Sequence, residues 1–137
     1  MMTLTDAGPM VALINRNDPN HSRCIDISTR LPKDPMLSTW PCYTEAMYLC
    51  YKAGGHPAQA ALWALRTLGR LILRDLAPQE ADRMIVLMEK YRDTPMDLAD
   101  ASLIVTAESL SLSRVFTVDS DFYVYRLADG SALEVIR

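Results

Sequence analysis

The sequence predicts an α/β protein, a three-layer α/β/α sandwich with a central, mostly parallel, short-stranded sheet. Short apolar runs, such as Leu71-Ile72-Leu73 and Val115-Phe116-Thr117-Val118, alternate with longer segments whose apolar residues recur at helical spacing. Runs without polar alternation suit parallel strands covered on both faces. Acidic residues also recur where one element ends and the next begins, and the carboxyl edge of such a sheet is where sites form.

Met2-Thr3-Leu4-Thr5 is β-leaning and ends at Asp6. Gly8-Pro9 opens a helix through Met10-Val11-Ala12-Leu13-Ile14, since Pro is tolerated in a first turn. Asp18-Pro19-Asn20 is a turn. His21 to Arg30 reads as an amphipathic helix with Cys24, Ile25 and Ile27 inward, broken by Pro32 and Pro35. Met36-Leu37-Ser38 is a brief strand. Thr39 can cap the next helix, with Pro41 in its first turn and Ala46, Leu49, Cys50 and Ala53 as its buried stripe. Gly54-Gly55 stops it. Pro57 to Leu68 forms a further helix, closed by Gly69, and Leu71-Ile72-Leu73 reads as a buried strand. Pro78 opens a helix to about Tyr91, with Ala81, Met84, Ile85 and Met88 on one stripe. A last helix runs from about Asp97 to Leu112. Val115 to Val118 is the clearest strand and ends on Asp119, and Leu133 to Ile136 is a final short one.

A chain of 137 residues, half of them apolar, implies a single folded domain over 1–137. The net charge of −3 argues against broad electrostatic coating of nucleic acid, though not against an enzyme that grips it through a metal and a local basic rim. Cys24, Cys42 and Cys50 form no metal-spaced pair, and their odd number fits reduced thiols in a cytoplasmic protein. No apolar run approaches the roughly 20 residues of a membrane span.

Chemistry rests on the acids. Asp6 and Asp119 fall at carboxyl ends of predicted strands, and Glu45 and Asp100 fall near N-terminal turns of helices that point to the same edge. Asp97 lies three residues before Asp100 on one helix face, and Asp121 lies beside Asp119. Taken singly, each acid can be a cap or a turn residue. Glu45 is the hardest to explain that way, because Ala46, Met47, Tyr48 and Leu49 follow it. Taken together, converging carboxylates repel and call for a cation or for protons. Oxygen ligands without His or Cys suit Mg²⁺ or Mn²⁺, and the chemistry that follows is metal-dependent phosphodiester hydrolysis. His21 and His56 read as surface residues, Trp40 and Trp63 as packing residues.

Four blocks then carry a resemblance: Asp6-Ala7-Gly8-Pro9-Met10-Val11-Ala12-Leu13, Thr44-Glu45-Ala46, Pro95-Met96-Asp97-Leu98-Ala99-Asp100-Ala101, and Val115-Phe116-Thr117-Val118-Asp119-Ser120-Asp121-Phe122. In this order they resemble PIN-domain ribonucleases, and among those the VapC-like toxins of toxin–antitoxin pairs. The resemblance implies a PIN-like sheet and an Mg²⁺- or Mn²⁺-dependent endoribonuclease, often a homodimer held inactive by a small antitoxin. It carries the family's acids onto Asp6, Glu45, Asp100 and Asp119, with Asp97 and Asp121 as secondary metal candidates. Ala7 stands where the family often has a hydroxyl. The alternative is a non-catalytic PIN-like module that binds RNA or protein. A phosphorylated receiver domain is a more distant rival, and Leu133 to Ile136 lacks the Lys it needs. The Ala, Leu and Met wealth from Pro57 to Met88 suggests a partner surface. Arg16, Arg23, Lys52 and Arg126 are candidate cations for an RNA substrate.

Overall fold

The computed structural model describes residues 1–137. Five strands form one sheet: β1 (Thr3–Thr5), β2 (Met36–Thr39), β3 (Leu71–Arg74), β4 (Arg114–Phe116) and β5 (Glu134–Ile136). Their order is β3-β2-β1-β4-β5 and every pairing is parallel, so the sheet is wholly parallel. The helices are α1 (Ala7–Ile14), α2 (His21–Arg30), α3 (Trp40–Thr67), α4 (Pro78–Lys90) and α5 (Leu98–Leu110). This is the α/β sandwich that the alternation of elements predicts.

Successive side chains of a strand face opposite ways, and β4 shows what that does here. Val115 joins the large core with Leu4, Leu37, Leu103 and Ile104, while Phe116 packs on the other face with Ala12, Cys24 and Ile27. Fully burying one such side chain contributes about 2 kcal/mol. β1 lies at the centre of the sheet, so the residue after it, Asp6, emerges mid-edge. Gly8 follows because α1 starts hard against the β4 side: a Cβ there would stand 2.7 Å from Val118 Cγ2.

Three details depart from the sequence reading. The helices expected on either side of Gly54-Gly55 run on as α3, broken only at Gly55, whose φ of 66° only glycine adopts cheaply. β3 is an edge strand with Ile72 exposed, not a buried strand. β4 ends at Phe116, because the Thr117 hydroxyl takes the Asp119 N–H and turns the chain out of the sheet. Several helix faces also differ. Cys24 and Ile27 are buried but Ile25 is not; Ala46 and Cys50 are buried but Leu49 and Ala53 face outward. In α4 the inward residues are Met84 and Leu87, and Ala81 and Ile85 point away. In α3, and along Met84-Ile85-Val86-Leu87 of α4, apolar residues fall on more than one face, and periodicity alone does not choose between faces; in α2 only Ile25 strays, on an otherwise polar side.

Candidate active site

Asp6 follows β1 and caps α1. Its Oδ1 accepts the Ala7 N–H at 2.8 Å and its Oδ2 accepts the Thr117 hydroxyl at 2.8 Å. The side chain is buried. Burial pushes its carboxyl above the usual range, the two hydrogen bonds pull it down, and the charges of Asp119 and Asp97 push it up again.

Asp100 sits in the first turn of α5 in a reciprocal cap with Asp97. The Asp100 N–H donates to Asp97 Oδ1 at 2.8 Å, and the Asp97 N–H reaches back to Asp100 Oδ2 at 3.4 Å. The Tyr125 hydroxyl donates to Asp100 Oδ2 at 3.2 Å. Burial, then the charges of Asp97 and Asp6, push the Asp100 carboxyl up to about 8. The N-terminus of α5 is fixed from behind. Ser102 donates to the Ala99 carbonyl at 2.6 Å, which leaves the Thr39 hydroxyl to donate to Ser102 Oγ, also at 2.6 Å. Thr39 is itself the cap of α3, so one buried hydroxyl pair ties two helix starts together.

Asp119 caps a short 3₁₀ turn, Ser120–Tyr123, and its Oδ1 accepts the Asp121 N–H at 2.9 Å. Thr117 joins this acid to the first: its hydroxyl donates to Asp6 and accepts the Asp119 N–H at 3.0 Å.

Carboxylate oxygens of Asp6, Asp100 and Asp119 all lie within 4.8 Å of one another. Glu45 stands outside that trio. It is exposed on α3, yet its carboxyl is pushed up by partial burial and then by the charges of Asp97, Asp6 and Asp119, so it belongs to the same electrostatic neighbourhood. Asp97 is exposed at the rim and serves as a cap. Asp121 is half-buried, with its carboxyl raised by desolvation and by Asp119. None of the molecule's five ion pairs reaches the trio. Three carboxyl groups, two of them buried, with no protein cation among them and only oxygen donors, suit a hard divalent ion, which would displace the proton that Asp100 otherwise keeps.

Thr117, Tyr125 and the Thr39–Ser102 pair do not stand out in the sequence. For Thr117 a signal exists: a Thr two residues before an Asp, directly after a strand, is a local hydroxyl-to-backbone turn. Tyr125 and Ser102 give none, because their partners are far along the chain. Cys42 is fully buried, with its thiol donating to the Ala99 carbonyl at 3.5 Å, and burial, with the Asp6 charge, pushes that thiol up to about 12, away from the thiolate a nucleophile needs. Arg126, a candidate substrate cation, is spent on the carbonyls of Tyr123, Val124 and Tyr125.

The family model for the PIN domain matches residues 3–127, which takes in all of these acids. The chain belongs to the PIN domain family. Among solved structures this PIN domain is similar to VapC20 of Mycobacterium tuberculosis, a sarcin-ricin loop cleaving toxin. The TM-score is 0.82 at 16% identity, over 89% of this chain and 93% of that one. It is also similar to a chain of VapBC2 from Rickettsia felis, solved bound to a DNA fragment from their promoter. There the TM-score is 0.68 at 13% identity, over 100% of both chains. At such identities the likeness is one of fold. Comparison with curated proteins finds no match.

Proposed function

We propose that this PIN domain is an Mg²⁺- or Mn²⁺-dependent endoribonuclease and the toxin of a toxin–antitoxin pair. The observation that carries the reading is the trio of Asp6, Asp100 and Asp119, shielded, mutually repelling and without a protein cation. These three would hold the metal. Glu45, Asp97 and Asp121 stand farther out, suited to contacts through water. A bound divalent ion supplies a polarised phosphoryl oxygen and a water of lowered pKa. The chain's own work is positional. Ala7 N–H and Thr117 aim Asp6, Tyr125 and the Asp97 cap aim Asp100, and the Thr39–Ser102 pair fixes the helix start that carries it.

The toxin reading draws support from the fold shared with VapC20 and VapBC2. It also draws on exposed apolar side chains, among them Trp63, Leu68, Ile72, Ile85 and Val86, which suit a second copy of the chain or a small antitoxin. No helix is long and apolar enough to cross a membrane. Three buried free thiols fit action in the cytoplasm. The test is cleavage of RNA by purified protein in Mn²⁺ and in EDTA. Metal-dependent cleavage, lost in Asp100→Asn and reduced less in Asp97→Asn, is the expected result. Cleavage that survives EDTA, or none in metal, would overturn it and favour a non-catalytic binding module.

A further inference from the structure

Trp40 and Trp63, read from the sequence as packing residues, do pack on one another and on Tyr43, but both remain partly exposed, at 38% and 44%. Trp40 is the one beside the acids. It is the first residue of α3, on the carboxyl edge of the sheet, and it lines an open depression of about 600 Å³ with Pro41, Glu45, Asp97 and Leu98. Two of those residues connect the depression to the trio: Asp97 caps Asp100, and Glu45 shares the field of Asp6 and Asp119.

The indole is held in place. Its N–H donates to Asp75 Oδ1 at 2.8 Å, just past the end of β3. The Tyr43 ring stands perpendicular to it, with ring centroids 5.9 Å apart at 89°, and Trp63 lies at 6.4 Å and 57°. No protein ring lies flat on it. The depression contains no Lys or Arg, and its charged lining is Glu45 and Asp97. A phosphate is repelled there. A neutral aromatic ring whose edge carries N–H donors is accommodated, since its face meets the indole and its edge meets carboxylates.

We propose that the Trp40 indole is a stacking platform for one unpaired nucleobase of the RNA strand whose phosphate is cut at the Asp6, Asp100 and Asp119 cluster. This rests on the ribonuclease reading above. The strand's phosphate goes to the metal, and a neighbouring base turns out of the strand onto the shelf between Trp40 and Leu98. A base held in a duplex is not free to do so.

The test is binding of a labelled oligoadenylate by fluorescence anisotropy, with Ca²⁺ as the oxygen-seeking ion, for wild type, Trp40→Ala and Trp40→Phe. The same oligomer carrying a single abasic position, walked along its length, is measured beside it. Loss of one stacked base corresponds to about a tenfold weaker complex. Trp40→Ala should lose that factor and Trp40→Phe should retain most of the affinity, with melting temperatures showing that both variants are folded. At one position the abasic oligomer should bind wild type about tenfold more weakly and bind Trp40→Ala no worse than the intact oligomer does. In the Trp63→Phe background Trp40 is the sole tryptophan, and RNA should quench it. Wild type that binds and cleaves RNA while Trp40→Ala binds equally well would overturn the platform alone. So would abasic and Trp40→Ala losses that simply add. Wild type that binds no RNA in any metal would overturn the platform and the ribonuclease reading together.

Discussion

Two groups of shielded carboxylates lie in this molecule, and they are treated in opposite ways. Between α4 and α5, Glu80 accepts two hydrogen bonds from Arg74, at 2.9 and 3.1 Å, and others from the Ala77 N–H and the Ser109 hydroxyl. Glu108 takes a bidentate pair from Arg83 at 3.0 and 2.9 Å. Burial pushes the Glu80 carboxyl up, but hydrogen bonds from Arg74, Ala77 and Ser109, with the Arg74 charge, more than offset this and hold it below its usual range. At the sheet edge, Asp6 and Asp100 are buried more deeply, receive only neutral donors, and are pushed up. The chain thus supplies arginines to its structural acids and withholds them from Asp6, Asp100 and Asp119. Left to the protein alone the second arrangement is strained, and that strain is what supports the proposal of a cation from outside.

The largest break in this contrast is Asp100→Asn, which keeps size and removes the negative charge that Asp100 would bring to a metal. Metal-dependent RNA cleavage should fall by more than about a hundredfold, while the far-ultraviolet spectrum is unchanged. Next comes Thr117→Val, which strips the hydroxyl that aims Asp6 and holds the Asp119 N–H. A loss of about ten- to a hundredfold in apparent Mn²⁺ affinity is expected, read from the metal dependence of cleavage. On the other side of the contrast, Glu80→Ala should cost about 2 kcal/mol in urea unfolding, because charge-assisted bonds from Arg74 are lost. Its folded fraction should cleave as wild type does.

The smallest effect is in pH, and its sign separates the two groups. The folded Asp100 carboxyl titrates at about 8 against an ordinary 3.8. Between those values the folded chain keeps a proton that the unfolded chain has released, so this stabilising contribution is complete below the lower value and lost as pH rises through the upper one. Glu80, lowered when folded, does the reverse: its contribution is present above its ordinary 4.5 and is lost as pH falls. In EDTA the melting temperature of wild type should decline from about pH 5 to about pH 9, and that decline should be shallower in Asp100→Asn.

Much of this was legible in the sequence. Order and type of elements follow from Pro and Gly punctuation and from the apolar runs, because a buried parallel strand and an amphipathic helix leave different periods. Asp6, Asp100 and Asp119 could be placed at one edge because each stands at the end of an element, and ends are what topology fixes. Glu45 could not be placed as closely: it lies on a helix apolar nearly all round, where a small rotation decides between the trio and the rim. The same ambiguity misplaced Leu49, Ala53, Ala81 and Ile85, and it hid the exposure of Trp40. Thr117 carries a local signal in its place two residues before Asp119, but its bond to Asp6, and that of Tyr125 to Asp100, form only after the chain has folded.

The claim at the centre is that the trio is completed by a divalent cation, and melting in the presence of Mn²⁺ tests it most directly, without any RNA. A ion that binds only the folded state at a hundredfold excess over Kd stabilises by about 2.7 kcal/mol. Wild type stripped with EDTA should therefore melt higher, and saturably so, as Mn²⁺ is added, and Asp100→Asn should not respond over the same range. A melting temperature that is the same in EDTA and in saturating Mn²⁺, or a rise of equal size in Asp100→Asn, would contradict it.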